Sequence, residues 1–142
     1  MEGGGSFPVL RQVVLDTTEP RVLAEFYRRL LGYTYRSGDE PSAGTDGRAD
    51  DFVVVHHASG RPRIAFQQVE ALAESTWPNG DVPQQLHLDM SVNTVGDLDF
   101  QHKRALELGA RLVLDRSDDH EEPLRVYADP AGHPFCILVA AS

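Results

Sequence analysis

The chain has 142 residues, a formal net charge of −9 and a single cysteine. That length suits one domain, or two small modules sharing a core, and should bury roughly 68–70% of the unfolded surface. The charge argues against nucleic acid, whose binding needs a basic stripe, and against anionic membrane surfaces. It is compatible with a cationic ligand.

In chain order, residues 1–8 read as a flexible leader. They hold no basic region followed by an apolar run, so no signal peptide is expected. Residues 9–17 alternate as a strand, with Val13 and Leu15 on one face and Gln12, Val14 and Asp16 on the other. Thr18, Glu19 and Pro20 supply a capping hydroxyl, an acid and an early proline for a helix running to about Leu31. Its apolar stripe is Leu23, Phe26, Tyr27, Leu30 and Leu31, and Gly32 stops it. Residues 33–37 form a short strand, and 38–50, rich in Gly, Asp, Ser and Pro, an exposed loop. Residues 51–57 and 62–69 make a hairpin around Ser59-Gly60.

Residues 70–84 are a connector broken by Trp77-Pro78-Asn79-Gly80 and Pro83. The pattern then repeats. A strand over 85–92 puts Leu86, Leu88, Met90 and Val92 on one face and Gln85, His87, Asp89 and Ser91 on the other. A helix from Val95 to Leu108 bears Val95, Leu98, Ala105, Leu106 and Leu108 and stops at Gly109. Residues 110–115 are a strand and 116–123 an acidic loop. Leu124–Ala128 and Pro134–Ala140 are strands joined by the turn Asp129-Pro130-Ala131-Gly132. The expected class is therefore α+β, as two β-α-β-β-β modules over 9–69 and 85–142. Aligning them sets Gln12 opposite His87 and Asp16 opposite Ser91, and suggests an internal duplication.

The polar faces of the first strands can be simply wet, or can line a ligand cup. His87 and Asp89 share a face about 7 Å apart by strand rise alone, a spacing for two sides of a substrate rather than one hydrogen-bonded dyad. Trp77, the one tryptophan, either caps a bound ring or packs the module interface. His56 and His57, adjacent on a strand, point to opposite faces; His102 is expected exposed at mid-helix, and His120 and His133 lie in a loop and a turn. Asp118, Asp119, Glu121 and Glu122 read as a solvated loop. No Ser-His-Asp order, phosphate loop or redox cysteine pair is recognisable.

The segments LDTTEPRVLAEFYRRLLGY, RIAFQQV, HLDMSV and YADPAGHPFCIL together resemble the vicinal oxygen chelate superfamily, which contains glyoxalase I, the bleomycin-resistance proteins and the extradiol dioxygenases. The likeness spans residues 9 to 140 and is nearest to the small bacterial glyoxalase-like domains. It implies two modules forming a curved mixed sheet around a ligand cup. Members that use a metal place four ligands at positions matching Gln12, Ala65, His87 and Cys136. Gln12 and His87 are competent donors, Ala65 has no ligand atom, and Cys136 is a thiol where a carboxylate is usual, with Gln67 able to offer an amide oxygen nearby. The resemblance thus implies a small-molecule-binding protein of glyoxalase or bleomycin-resistance type without the standard metal, and the single cysteine fits a reducing, cytoplasmic compartment. The alternative is a metal-dependent lyase, isomerase or dioxygenase. The expected ligand-binding residues are Gln12, Gln67, Trp77, His87, Asp89 and Cys136, with no resident metal. Neither a nucleic-acid nor a membrane partner is expected. Superfamily members commonly pair two chains, so a homodimer is expected by analogy.

Overall fold

The computed structural model describes residues 7–41 and 50–140. Most of the leader and the greater part of the loop over 38–50 lie outside the described residues. Within them the first half of the chain contributes β1 (Val13–Thr17), α1 (Pro20–Leu31), β2 (Thr34–Tyr35), β3 (Phe52–His56) and β4 (Arg63–Gln68). The second half contributes β5 (Leu88–Val92), α2 (Val95–Leu108), β6 (Arg111–Arg116), β7 (Leu124–Ala128) and β8 (Pro134–Val139). The halves build two four-stranded mixed sheets with the same permuted order, β1-β4-β3-β2 and β5-β8-β7-β6. In each, the first strand runs parallel to the last and the other pairings are antiparallel. This is the α+β, two-module fold expected from the repeat.

Alternation in β1 sends Leu15 and Thr17 inward and Val14 and Asp16 outward. The chain then turns into α1 with Pro20 in its first turn, where the missing N–H costs no helical bond. Thr18 does not supply the expected capping hydroxyl, and no side chain caps the helix start. Thr17 Oγ1 accepts from Glu19 N at 3.1 Å, because the inward side chain of the strand end is the one that reaches the turn. Gly32 closes the helix at φ 70°, a left-handed conformation open to glycine without steric cost, and its N–H returns to Arg28 O. α2 is capped by Thr94, whose hydroxyl accepts from Asp97 N at 3.0 Å. β2 keeps only two residues of the strand expected over 33–37.

Both helices lie on the inward faces of the sheets and share one core. Leu23, Phe26, Tyr27 and Leu30 of α1 meet Phe66, Phe135 and Ile137, with Leu98 and Ala105 of α2 joining the same cluster. The Tyr27 ring stacks on Phe66 at 5.7 Å and meets Phe135 edge-on at 6.0 Å, while Tyr127 stacks on Phe135 at 5.1 Å. Each such side chain contributes about 1.5–3 kcal/mol on burial, so aromatic contacts between the halves tie the modules together. At the centre of this joint Tyr27 Oη donates to Asp129 Oδ2 at 2.6 Å, a fully buried bond from α1 to the turn before β8. From the same turn His133 Nε2 lies 2.7 Å from the Asp16 carbonyl oxygen, a second link between the halves.

The expected stripe of α2 is only partly used. Leu98 and Ala105 are buried, but Val95 and Leu106 are among the exposed large hydrophobics. The helix tilts its burial toward His102, whose Nδ1 lies 2.8 Å from Tyr127 Oη instead of being exposed as expected. Burial, then the nearby Arg125 charge, lowers the His102 pKa. Asp39, in a segment read as an exposed loop, is 6% exposed. Its carboxylate accepts from Val54 N at 2.9 Å and from Arg36 Nε at 3.0 Å, which repays burying the charge.

Candidate functional site

The outward face of the second sheet carries a cavity of about 320 Å³. β5 begins at Leu88, so His87 sits one residue before the strand rather than inside it. Leu86, expected on the apolar face, is 43% exposed, because the pleat starts after it. His87 and Asp89 both reach the cavity. Across the parallel β5–β8 pairing Asp89 stands in register with Cys136, bringing the thiol to the floor. The rest of the floor is apolar: Leu114 of β6, Leu124 and Val126 of β7, and Leu138 of β8. The connector folds over one side and contributes Trp77 and Gln84, while Arg116 and Glu122 stand at the far rim.

His87 Nε2 and Asp89 Oδ1 are 3.2 Å apart. Backbone rise had separated them, but both side chains lean along the strand and close the gap, so they form one pair and not two separate contacts. Both are about half exposed, so the pair contributes little to stability and stays open to solvent or ligand. Cys136 is buried, and burial, followed by the charges of Asp89 and Glu122, pushes its thiol up to about 11. It is therefore a neutral thiol at neutral pH and not an activated nucleophile.

The expected site residues divide. Trp77, His87, Asp89 and Cys136 come together in the cavity; Gln12 and Gln67 line no part of it. Gln12 lies at the entry to β1, where its Oε1 accepts from Arg63 Nε at 3.2 Å. Gln67 is exposed on β4, in register with Asp16. Ala65 is buried in the middle of β4 and offers no donor. Glu122, read as part of a solvated loop, turns inward to the rim. Arg116 was missed, although a signal for it existed. Leu114 and Arg116 share strand parity, as do Leu124 with Val126 and Cys136 with Leu138, and each pair lines the cavity. The irregularity between Leu112 and Leu114 breaks that parity upstream and hides the pattern. Among the described residues no group of three or more His, Cys, Asp or Glu side chains is placed to hold a metal ion.

The glyoxalase-like domain family matches residues 12–138. The chain belongs to that family. No curated protein matches it in sequence. Among solved structures, this glyoxalase-like domain superposes on a hypothetical protein from S. aureus with TM-score 0.70 at 17% identity, covering 96% of each chain. A glyoxalase/bleomycin resistance protein/dioxygenase family enzyme from Burkholderia phytofirmans PsJN gives TM-score 0.69 at 16% identity, covering 92% of this chain and 98% of that one. The fosfomycin resistance protein FosX from Mesorhizobium loti gives 0.65 at 15%, covering 96% and 95%. At such identities the likeness is one of fold, that of the vicinal oxygen chelate superfamily. The positions that the resemblance matches to metal ligands hold Gln12, Ala65, His87 and Cys136. Ala65 has no donor atom, Cys136 is a soft thiol, and the Gln12 amide oxygen accepts from Arg63.

Proposed function

We propose that this glyoxalase-like domain binds a small organic molecule in the cavity of its second module and does so without the superfamily's metal. The observation that carries this is the cavity itself: an apolar floor, one aromatic wall and a few convergent polar groups, the usual make-up of a small-molecule site. The donor chemistry at Ala65 and Cys136 supports the metal-free reading. Titration with manganese, nickel or zinc is expected to leave the thermal midpoint within about 1 °C, whereas a ligand at a hundred times its Kd contributes about 2.7 kcal/mol and moves it clearly. A rise with one equivalent of metal that disappears in His87→Ala would overturn the metal-free reading. Small molecules that raise the midpoint are expected to lose their effect in Val126→Trp, which fills the cavity from β7.

The second reading, a metal-dependent lyase, isomerase or dioxygenase, is favoured by the His87–Asp89 pair, which places a nitrogen and a carboxylate oxygen side by side at the cavity. The same metal titration separates the two.

Pairing of two chains belongs to the same proposal. β1 and β5 are edge strands of their sheets. Val14 on the outward face of β1 is 40% exposed, beside apolar Val9 and Leu10, also exposed. Such edges and apolar rims favour cover by a second copy. Light scattering at low micromolar concentration is expected to give twice the chain mass, and a single-chain mass across the dilution range would sink the pairing. Among the described residues no helix is long and apolar enough to cross a membrane. A cytoplasmic location is part of the proposal, resting on the single cysteine.

A further inference from the structure

The connector that carries Trp77 is loosely held to the rest of the molecule. No residue from 70 to 86 is buried, and among the described residues none of them hydrogen-bonds to either module. The last backbone bond to the body is from Val69 N to Thr17 O at 3.0 Å, and strand pairing resumes only at Leu88. Within itself the connector is well bonded. Thr76 N donates to Val82 O at 2.8 Å, Val82 N to Thr76 Oγ1 at 2.9 Å and Asn79 N to Thr76 O at 2.8 Å, which closes the segment into one loop. Its two roots stand over space. Leu72, Ser75, Pro83 and Gln84 roof a second cavity of about 240 Å³ against β1 and the turn before β8. The connector rests on the body through Glu74, which lies over Gly132 and forms a 3.7 Å exposed ion pair with Arg111. Trp77 is half-buried at the first cavity, while Pro78, Asn79 and Gly80 beside it are exposed.

We infer that residues 75–82 form a flap that lifts as one piece, carrying Trp77 off the first cavity to admit a ligand and back again to cover it. This rests on the reading of the cavity as a small-molecule site and adds the way in. A segment with no buried residue and no backbone bond to its surroundings opens more easily than the fold as a whole. Its own backbone groups stay paired during the movement, because their partners travel with them. The unbonded stretches on either side, 70–74 and 83–87, take up the change of direction. Gln84 lines both cavities, so the outer root of the flap shifts with the wall of each.

Cys136 tests this without a ligand. It is 7% exposed on the floor of the first cavity and is the chain's single cysteine, so its rate of reaction with an aromatic disulfide reagent reports opening. Trp77→Ala is expected to speed labelling by about tenfold, and Thr76→Val, which removes the hydroxyl that closes the loop, by about threefold. Val55→Ala loosens the core from β3, and Val55 lines neither cavity, so it should leave the rate in the absence of denaturant unchanged. Labelling that quickens in Val55→Ala in step with its lost stability would mean that the whole domain must unfold, and would overturn the flap. A Trp77→Ala rate equal to that of wild type would overturn it as well. Amide exchange separates lifting from melting. The N–H groups of Asn79 and Val82 are expected to stay protected over the time in which Cys136 is labelled, and their exchange at the labelling rate would overturn movement as one piece. Because no ligand enters the test, a failed flap leaves the small-molecule site standing, and a cavity that takes no ligand leaves the movement standing.

Discussion

Asp129→Ala is expected to lower unfolding stability by about 3–5 kcal/mol, a large part of the roughly 5–15 kcal/mol a domain commonly holds. The Asp129 carboxylate accepts from Tyr27 Oη at 2.6 Å, from Ala131 N at 2.8 Å and from His133 N at 3.0 Å. Alanine removes both acceptor oxygens, and with them all three hydrogen bonds. The Tyr27 hydroxyl is left unpaired in the core, and the turn before β8 loses the groups that shape it. Urea unfolding should show a lower midpoint with little change in slope. Tyr27→Phe removes one partner and should cost less, about 1–2 kcal/mol. The same carboxylate carries a pH signature. Burial raises its pKa above the ordinary 3.8, opposed by the hydrogen bonds and the neighbouring His133. The folded state therefore keeps this proton to higher pH than the unfolded state does. Its contribution is full below 3.8 and falls as pH rises through the raised value. Wild type should lose ground to Asp129→Asn over that interval. A pH-independent difference between the two would contradict the assignment.

The second large effect is expected from Gly132→Ala, at about 2–4 kcal/mol. Gly132 has φ 94°, a conformation strained for any residue with a Cβ, and an added Cβ would come within 2.4 Å of Glu74 Cγ and 2.7 Å of Glu74 Cβ. The obstacle lies at the root of the Glu74 side chain, so rotation of its far end cannot relieve it. The connector would have to move off the turn, and Trp77 belongs to that connector. Gly132→Ala should therefore alter Trp77 emission before global unfolding, as well as lowering the midpoint. Combining it with Glu74→Gly should restore the emission and recover the steric part of the loss, leaving the backbone strain. No recovery in the double variant would mean that Glu74 is not what fills the space.

The fold was legible because its signals are local. Strand alternation, proline at a helix start and glycine at a helix end are each set by a few neighbouring residues, and their repetition after residue 84 exposed the second module. What escaped was set by long-range geometry. Thr17 and not Thr18 holds the turn before α1, because its side chain is the one at the strand end that faces inward. Asp39 is buried because Val54, fifteen residues on, needs an acceptor. Val95 and Leu106 are exposed because α2 leans toward Tyr127, which periodicity within the helix does not encode. At the site, His87, Asp89 and Cys136 followed from alternation and resemblance. The closeness of His87 to Asp89 depends on side-chain lean, and the arrival of Glu122 on a loop path, neither of which a residue pattern specifies.

The hydrogen bond between Tyr27 and Asp129 has a consequence for the duplication. Counted from the first residue of each helix, buried Leu23 and Leu30 of α1 correspond to buried Leu98 and Ala105 of α2. That alignment sets Tyr27 against His102. Counted from the ends of β3 and β7, Asp129 corresponds to His57. One half supplies the phenol, the other the carboxylate, and neither has a duplicate. A protein assembled from two first halves would turn Tyr27 toward a histidine, and one from two second halves would turn His102 toward Asp129. At this joint the two halves are complementary and not alike. They are no longer interchangeable, although their strands still follow the same order.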